Sequence, residues 1–265
     1  MPEAVREREP RRRLAALLTA LVAALRLAFG FLTRLPVGAS AAPIGPGTFG
    51  LAASCFPVVG ATLGTLAWLV QAVLLPHAGA SLTSLVLVAL SALLTGGLHL
   101  DGLADTFDGL GGYHGNRQRM LDIMRDPRIG AHGATALGLH LLSKVIVTSE
   151  LLSAAAFWPL IAAPACARFC VLPLVKSFPY VRTDGLGVTL HAETHMPQLV
   201  AALAFTVVLL VALDWRLLWP ATFCVIVAMA LGFWIAKRLG GLTGDIYGAA
   251  VELAELSFLI ACDLA

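Results

Sequence analysis

SLTSLVLVALSALLTGGLHLDGLADTFDGLGG, residues 81–112, is where the chain declares its architecture. Residues 81–98 carry no charge, and a helix of about 20 apolar residues is what a bilayer requires. Three carboxylates follow immediately: Asp101, Asp105 and Asp108, at i, i+4 and i+7. On a helix those positions share one face. Like charges stacked in this way repel, so a helix that carries them calls for a cation between them. An acidic loop facing water is the plainer reading, but the chain has only 16 acidic residues and these three follow a span directly.

Working outward, six more apolar segments of similar length lie at about 57–75, 133–151, 154–174, 197–213, 217–236 and 244–262. Of the 265 residues 58% are hydrophobic and 13% charged, with a mean hydropathy of +0.85. Soluble domains carry about 25% charged residues, so this chain cannot cover itself with a water-compatible surface. The reading is an all-α, polytopic membrane helix bundle of about seven spanning helices, with no nucleic-acid partner and with a homo-oligomer left open. Residues 1–13 are charged and expected to be disordered, and 14–265 form one integral-membrane domain. The five cysteines, 55, 166, 170, 224 and 262, lie in apolar stretches and read as small core residues.

The basic residues orient the bundle. Arg34, the arginines 117, 119, 125 and 128, Lys176, Arg182, Lys237 and Arg238 all fall on one side if segment 57–75 starts in the cytoplasm; the opposite loops hold only Arg216, beside Asp214. That is the positive-inside pattern. An apolar helix over 14–32 has basic residues at both ends, Arg11 to Arg13 and Arg34. It therefore reads as an interfacial or re-entrant helix rather than a span. No cleavage site closes it as a signal peptide would.

Two further constellations carry chemistry. In RMLDIMRDPRIG (119–130), Asp122 and Asp126 interleave with Arg125 and Arg128. Carboxylates for a hard cation beside guanidiniums for phosphate are what phosphoryl transfer needs; a surface helix laced with salt bridges is the alternative. In GGLTGDIYG (240–248), Asp245 enters the last span, and Glu252 and Glu255 follow on nearby faces. Acids within a span are costly and default to functional positions. Arg168, inside segment 154–174, reads as a phosphate ligand or a snorkelling arginine, and His140 and Lys144 share a helix face.

Together, FLTRLPV (31–37), HLDGLADTFDGLGG (99–112), RMLDIMRDPRIGAHG (119–133) and LTGDIYGAAVELAEL (242–256) resemble the cobalamin synthase family, the adenosylcobinamide-GDP ribazoletransferases. The match runs in order over nearly the whole chain. The departures, Tyr113-His114, Tyr247 and the extended basic N-terminus, spare the acidic positions. The resemblance implies a Mg²⁺-dependent transferase of the bacterial inner membrane, its active site facing the cytoplasm. It would join adenosylcobinamide-GDP to α-ribazole or its 5′-phosphate, with loss of GMP. On that basis Asp101, Asp105 and Asp126 are expected to hold Mg²⁺, with Asp122 and Asp245 close by. Arg125, Arg128 and Lys144 are expected on the GDP phosphates, Asp108 or Asp122 as general base, and Arg34, Arg168, Asp245 and Glu252 as further substrate contacts. Two rivals remain. A CDP-alcohol phosphotransferase requires Asp-x2-Asp-Gly-x2-Ala-Arg, a spacing that fails at Asp101. An ion-coupled transporter places its acids at the bilayer midplane, whereas these cluster toward one face.

Overall fold

A computed structural model describes residues 3–38 and 45–265, with side chains from residue 16 onward. The described residues form twelve α-helices: α1 (Glu3–Leu32), α2 (Thr48–Ser54), α3 (Phe56–Thr95), α4 (Leu98–Gly111), α5 (Arg117–Ile123), α6 (Ala131–Ser153), α7 (Trp158–Phe169), α8 (Val171–Ser177), α9 (Leu186–Glu193), α10 (Met196–Leu213), α11 (Leu218–Leu239) and α12 (Gly244–Asp263). No strand occurs among them.

Five helical stretches are long and apolar enough to cross a membrane: α3, α6, α7 with α8, α10 and α11. This is an integral membrane protein. Helix α3 counts once there but breaks at Gly79, whose φ of 72° and ψ of 172° are not helical. Its arms, 56–78 and 80–95, fold back on each other, since Leu63 and Gly64 of the first line the same small cavity as Ser91 and Leu94 of the second. Helix α12 is long enough to span but is less apolar, since it carries Asp245, Glu252, Glu255 and Asp263. All seven expected segments are thus helical.

At the centre lies the stretch Trp158–Ser177, 89% buried along its apolar length against 17% for α10. Helix α12 is its buried partner. In lipid, apolar surface is not driven together by water, so cohesion comes from close packing of small residues. A Cβ on Gly60 would lie 2.2 Å from the Pro164 carbonyl oxygen, and one on Gly64 would lie 2.4 Å from that of Leu160. The α3–α7 crossing is therefore backbone against backbone. Outer faces of α10 and α11 display Val200, Val208, Ile226 and Phe233 to lipid. At one end of α11 Lys237 and Arg238 sit over Phe233 and Trp234, at 4.2 and 4.0 Å from the ring centroids. Such aromatic and basic pairs suit a membrane interface.

Helix α1 begins at Glu3 and so takes in most of the segment 1–13 that composition had assigned to disorder. Elongating a helix already nucleated is easy for Ala, Glu and Arg, although Pro10 within the segment has no amide hydrogen to donate. Over the residues with described side chains its apolar stretch is Ala16–Leu32, which Arg26 interrupts. Ala24, Ala28 and Leu32 are its buried face, and Phe31 packs on Phe49 of α2 and Phe56 of α3. Helix α2 was not foreseen. Its first amides, Phe49 and Gly50, donate to Glu193 Oε2 at 2.9 and 3.2 Å, so a carboxylate from α9 satisfies a helix N-terminus.

Replacing Gly60 by Ala is expected to lower the thermal midpoint in detergent, at a cost of roughly 1–3 kcal/mol. Gly138→Ala in α6, where a Cβ meets nothing within 4 Å, is expected to be neutral or stabilising by up to about 1 kcal/mol. Equal midpoints for the two variants would contradict the close α3–α7 crossing.

Candidate active site

The second arm of α3 ends in Gly96 and Gly97, both with positive φ (64° and 71°). This is backbone that glycine adopts without a Cβ clash. It turns the chain out of the span and into α4, which carries Asp101 exposed and Asp105 half-buried. Helix α12 begins beside it. A Cβ on Gly102 would lie 2.6 Å from the Asp245 carbonyl oxygen, and one on Gly248 would lie 3.3 Å from His99. These two glycines let α4 and α12 approach closely enough to gather Asp101, Asp105 and Asp245. Burial first, then the charges of Asp101 and Asp245, push the Asp105 carboxyl up from its ordinary range to about 7.

A third element completes the cluster. The chain after α8 is tied to the approach to α12 by Val181 N to Leu242 O (2.9 Å) and Leu242 N to Pro179 O (2.8 Å). That tie places Arg182, whose Nη2 donates to Asp245 Oδ2 at 2.5 Å; Thr243 Oγ1 donates to the same oxygen at 3.3 Å. Arg125 faces Asp184 across the rim at 3.7 Å.

Two hollows meet here. One, about 370 Å³, is lined by Asp101, Arg125, Tyr180, Arg182, Asp245 and Tyr247 with apolar neighbours. The other, an open cleft of about 670 Å³, has Arg117, Arg125 and Arg182 on its walls. Arg125 and Arg182 belong to both.

The remaining expected residues sit elsewhere. Asp108 accepts from Gly130 N (2.7 Å) and Gly133 N (2.8 Å), so both its oxygens serve the start of α6. Asp126 is gripped by Arg128 through Nε (2.9 Å) and Nη2 (2.6 Å), which holds its carboxyl near 2. The two line a separate depression with Asp108 and Arg119. Asp122 accepts from Gln118 on α5. Arg34 is exposed and packs its side chain against Gly96. Lys144, Arg168 and Glu252 lie inside the bundle, each 6% exposed or less. There Lys144 binds Glu252 (3.2 Å) and Glu255 (2.7 Å), His140 meets Glu252 at 2.8 Å, and Arg168 binds Glu255. Among the described residues, no three His, Cys, Asp or Glu side chains close as a ready-made metal cage.

Sequence reading did not single out Arg182, Tyr180 or Tyr247 as site residues. The available signal was the length of the loop 175–196 with YVRTDG at its centre, since helix connections in bundles usually need about 2–8 residues.

The fold and its charges define a class: a polytopic helical membrane protein with an acidic cluster and an arginine-lined cleft at one end of the bundle. The chain belongs to the cobalamin-5-phosphate synthase family, whose model matches residues 24–262. Relatives include an adenosylcobinamide-GDP ribazoletransferase of Pseudomonas putida (strain W619), 40% identical over 90% of this chain and 98% of its own. Others of the same name come from Desulfitobacterium hafniense (strain Y51), 38% identical over 89% and 94%, and Klebsiella pneumoniae (strain 342), 40% identical over 88% and 96%. No solved structure matches the chain.

Two stability measurements test this geometry. Asp105 binds its proton more tightly in the folded state, so folding loses stability as pH rises from about 4 to about 7. The shift sets a ceiling of about 4 kcal/mol, which solvent screening of a half-exposed group reduces to roughly 1–2 kcal/mol. Without divalent cation, Asp105→Asn is expected to melt higher than wild type at pH 8 and alike at pH 4; no gap at pH 8 would contradict the crowding. In the bundle, Arg168→Leu is expected to cost about 3–5 kcal/mol by stripping a buried carboxylate of one partner. The double variant Arg168→Leu/Glu255→Leu should lie nearer wild type, and a still less stable double variant would count against the pairing.

Proposed function

We propose that this chain transfers the phosphorylated corrinoid of adenosylcobinamide-GDP to α-ribazole or its 5′-phosphate, with Mg²⁺, at the cytoplasmic face of a bacterial inner membrane. The ribazole hydroxyl oxygen forms a bond to the corrinoid-side phosphorus. The bond from that phosphorus to the bridging oxygen breaks, GMP leaves with the oxygen, and the hydroxyl proton passes to water at the open mouth. The observation that carries the reading is the meeting of Asp101 and Asp245 with Arg125 and Arg182 where two hollows join, with Asp105 crowded by those two acids. The names of the relatives supply the substrates.

The donor set fits Mg²⁺. It is all oxygen, and Mg²⁺ is commonly held by one or two carboxylates, waters and substrate phosphates rather than by a protein cage. Asp105, raised to about 7 by burial and then by the charges of Asp101 and Asp245, is a carboxyl that a cation would relieve. Asp101 and Asp105 would hold the ion, with Asp245 alongside; when bound it would neutralise charge on the diphosphate. Arg125 and Arg182, with Arg117 behind them, receive the diphosphate from the basic cleft. In a loose transition state catalysis is mostly positioning and electrostatic stabilisation, so a strong general base is not required. That suits an Asp108 already committed to backbone amides. The cytoplasmic orientation rests on Arg34, Arg117, Arg125, Lys176 and Lys237 falling at the site end of the bundle.

Purified protein given adenosylcobinamide-GDP, α-ribazole and Mg²⁺ should release GMP and lose that activity on chelation. Asp105→Ala and Arg182→Ala are each expected to lower kcat/KM by about 100-fold or more. GMP release equal in wild type and Asp105→Ala would end this reading.

A further inference from the structure

The hollow of about 370 Å³ has two unlike halves. Its charged lining residues Asp101, Arg125 and Asp184 are exposed and mark the mouth. Its interior is mostly apolar: Leu32, Phe56, Val171, Leu190 and Val251 are each 5% exposed or less, and His99, at 4%, is the buried polar residue among them. Two rings stand in the same wall, Tyr180 and Tyr247, stacked with centroids 6.2 Å apart and planes at 28°. His191 extends the stack from Tyr180 at 6.4 Å. The Tyr247 hydroxyl is buried and has no hydrogen-bond partner.

A cation and a diphosphate account for the mouth. Nothing in their chemistry calls for the apolar chamber behind it, the tyrosine pair or the idle hydroxyl. A flat apolar body calls for all three. Guanine carries donors and acceptors along most of its edge, and this interior, whose buried residues offer the unpartnered Tyr247 hydroxyl and His99 Nδ1, would leave most of them unpaired. A benzimidazole-type base has one free ring nitrogen and needs one donor, and the wall offers the unpartnered Tyr247 hydroxyl. The volume lies within the roughly 300–1,000 Å³ of small-molecule pockets.

We infer that this hollow is the acceptor subsite: it takes the flat, apolar base of the attacking nucleoside, with the Tyr180 and Tyr247 rings as its wall and the Tyr247 hydroxyl as donor to the free ring nitrogen. The inference rests on the transferase reading in taking the occupant to be a nucleoside. It divides the substrates, with the base of the acceptor inside and the diphosphate of the donor in the arginine cleft. Arg125 and Arg182 stand between them.

Binding and turnover are read separately. Equilibrium dialysis of α-ribazole against the detergent-solubilised chain gives Kd; GMP release with each substrate varied gives the two KM values. Tyr180→Ala is expected to raise Kd and KM for α-ribazole about tenfold or more, with KM for adenosylcobinamide-GDP within about twofold and Tyr180→Phe near wild type. Tyr247→Phe is expected to raise the acceptor values about five- to tenfold. A rise in the donor KM alone would assign the hollow to the donor and overturn the inference. So would GMP release with acceptor values indifferent to both tyrosines, which leaves the transferase reading standing. Acceptor binding that weakens in Tyr180→Ala without any GMP release would sink the transferase reading and keep the subsite. Neither binding nor release would remove both.

Discussion

Glu252 and Glu255 lie in the middle of α12 with almost no exposure, and an isolated carboxylate there would be costly in any low-dielectric interior. Lys144 and His140 from α6 and Arg168 from α7 meet them. Because each partner comes from a different height on a neighbouring helix, the pairing fixes both the rotation and the depth of α12. The depth of α12 in turn sets where its first turn emerges. That turn holds Asp245. The acidic cluster at the end of the bundle is thus positioned by an ionic cluster inside it, and the basic residues that sequence reading would give to phosphate are occupied in holding the frame.

Glycines do the complementary work. Gly60 and Gly64 bring α3 onto α7, and Gly102 and Gly248 bring α4 onto α12: a Cβ on the first three would collide with a neighbouring backbone, and one on Gly248 would crowd it. The second contact has a chemical result. It crowds Asp105 with Asp101 and Asp245, and the crowding is unfavourable without a cation. Sites that trade stability for function behave in this way. Elsewhere carboxylates are used structurally: Asp108 at the start of α6 and Glu193 at the start of α2 each accept two backbone amides from a helix N-terminus. Acids of identical type therefore serve opposite purposes within one short stretch of α4.

The same distinction applies to the cations. Arg125 and Arg182 stay near the surface between the two hollows, where a phosphate could reach them, while Arg128 closes on Asp126 outside that space. Arg182 owes its place to the short backbone pairing of Pro179 and Val181 with Leu242. A loop remote in sequence from the acidic motifs thereby becomes a wall of the site.

By itself the sequence determined the class of solvent, the helical segments and the run of carboxylates beyond residue 98, because hydropathy and helical period are local properties. It also put Asp101, Asp105 and Asp245 at one end of the bundle, through the distribution of basic residues. It did not decide which acids meet. Asp101, Asp105 and Asp108 look equivalent along one helix face, yet the first two turn toward α12 and the third is taken up by α6. Nor did it show that Lys144 and Arg168 are spent on Glu252 and Glu255, or that Arg182 joins Asp245. Those outcomes depend on how helices far apart in the chain rotate and cross, and that is set by glycine contacts and buried charges that exist only once the bundle has formed.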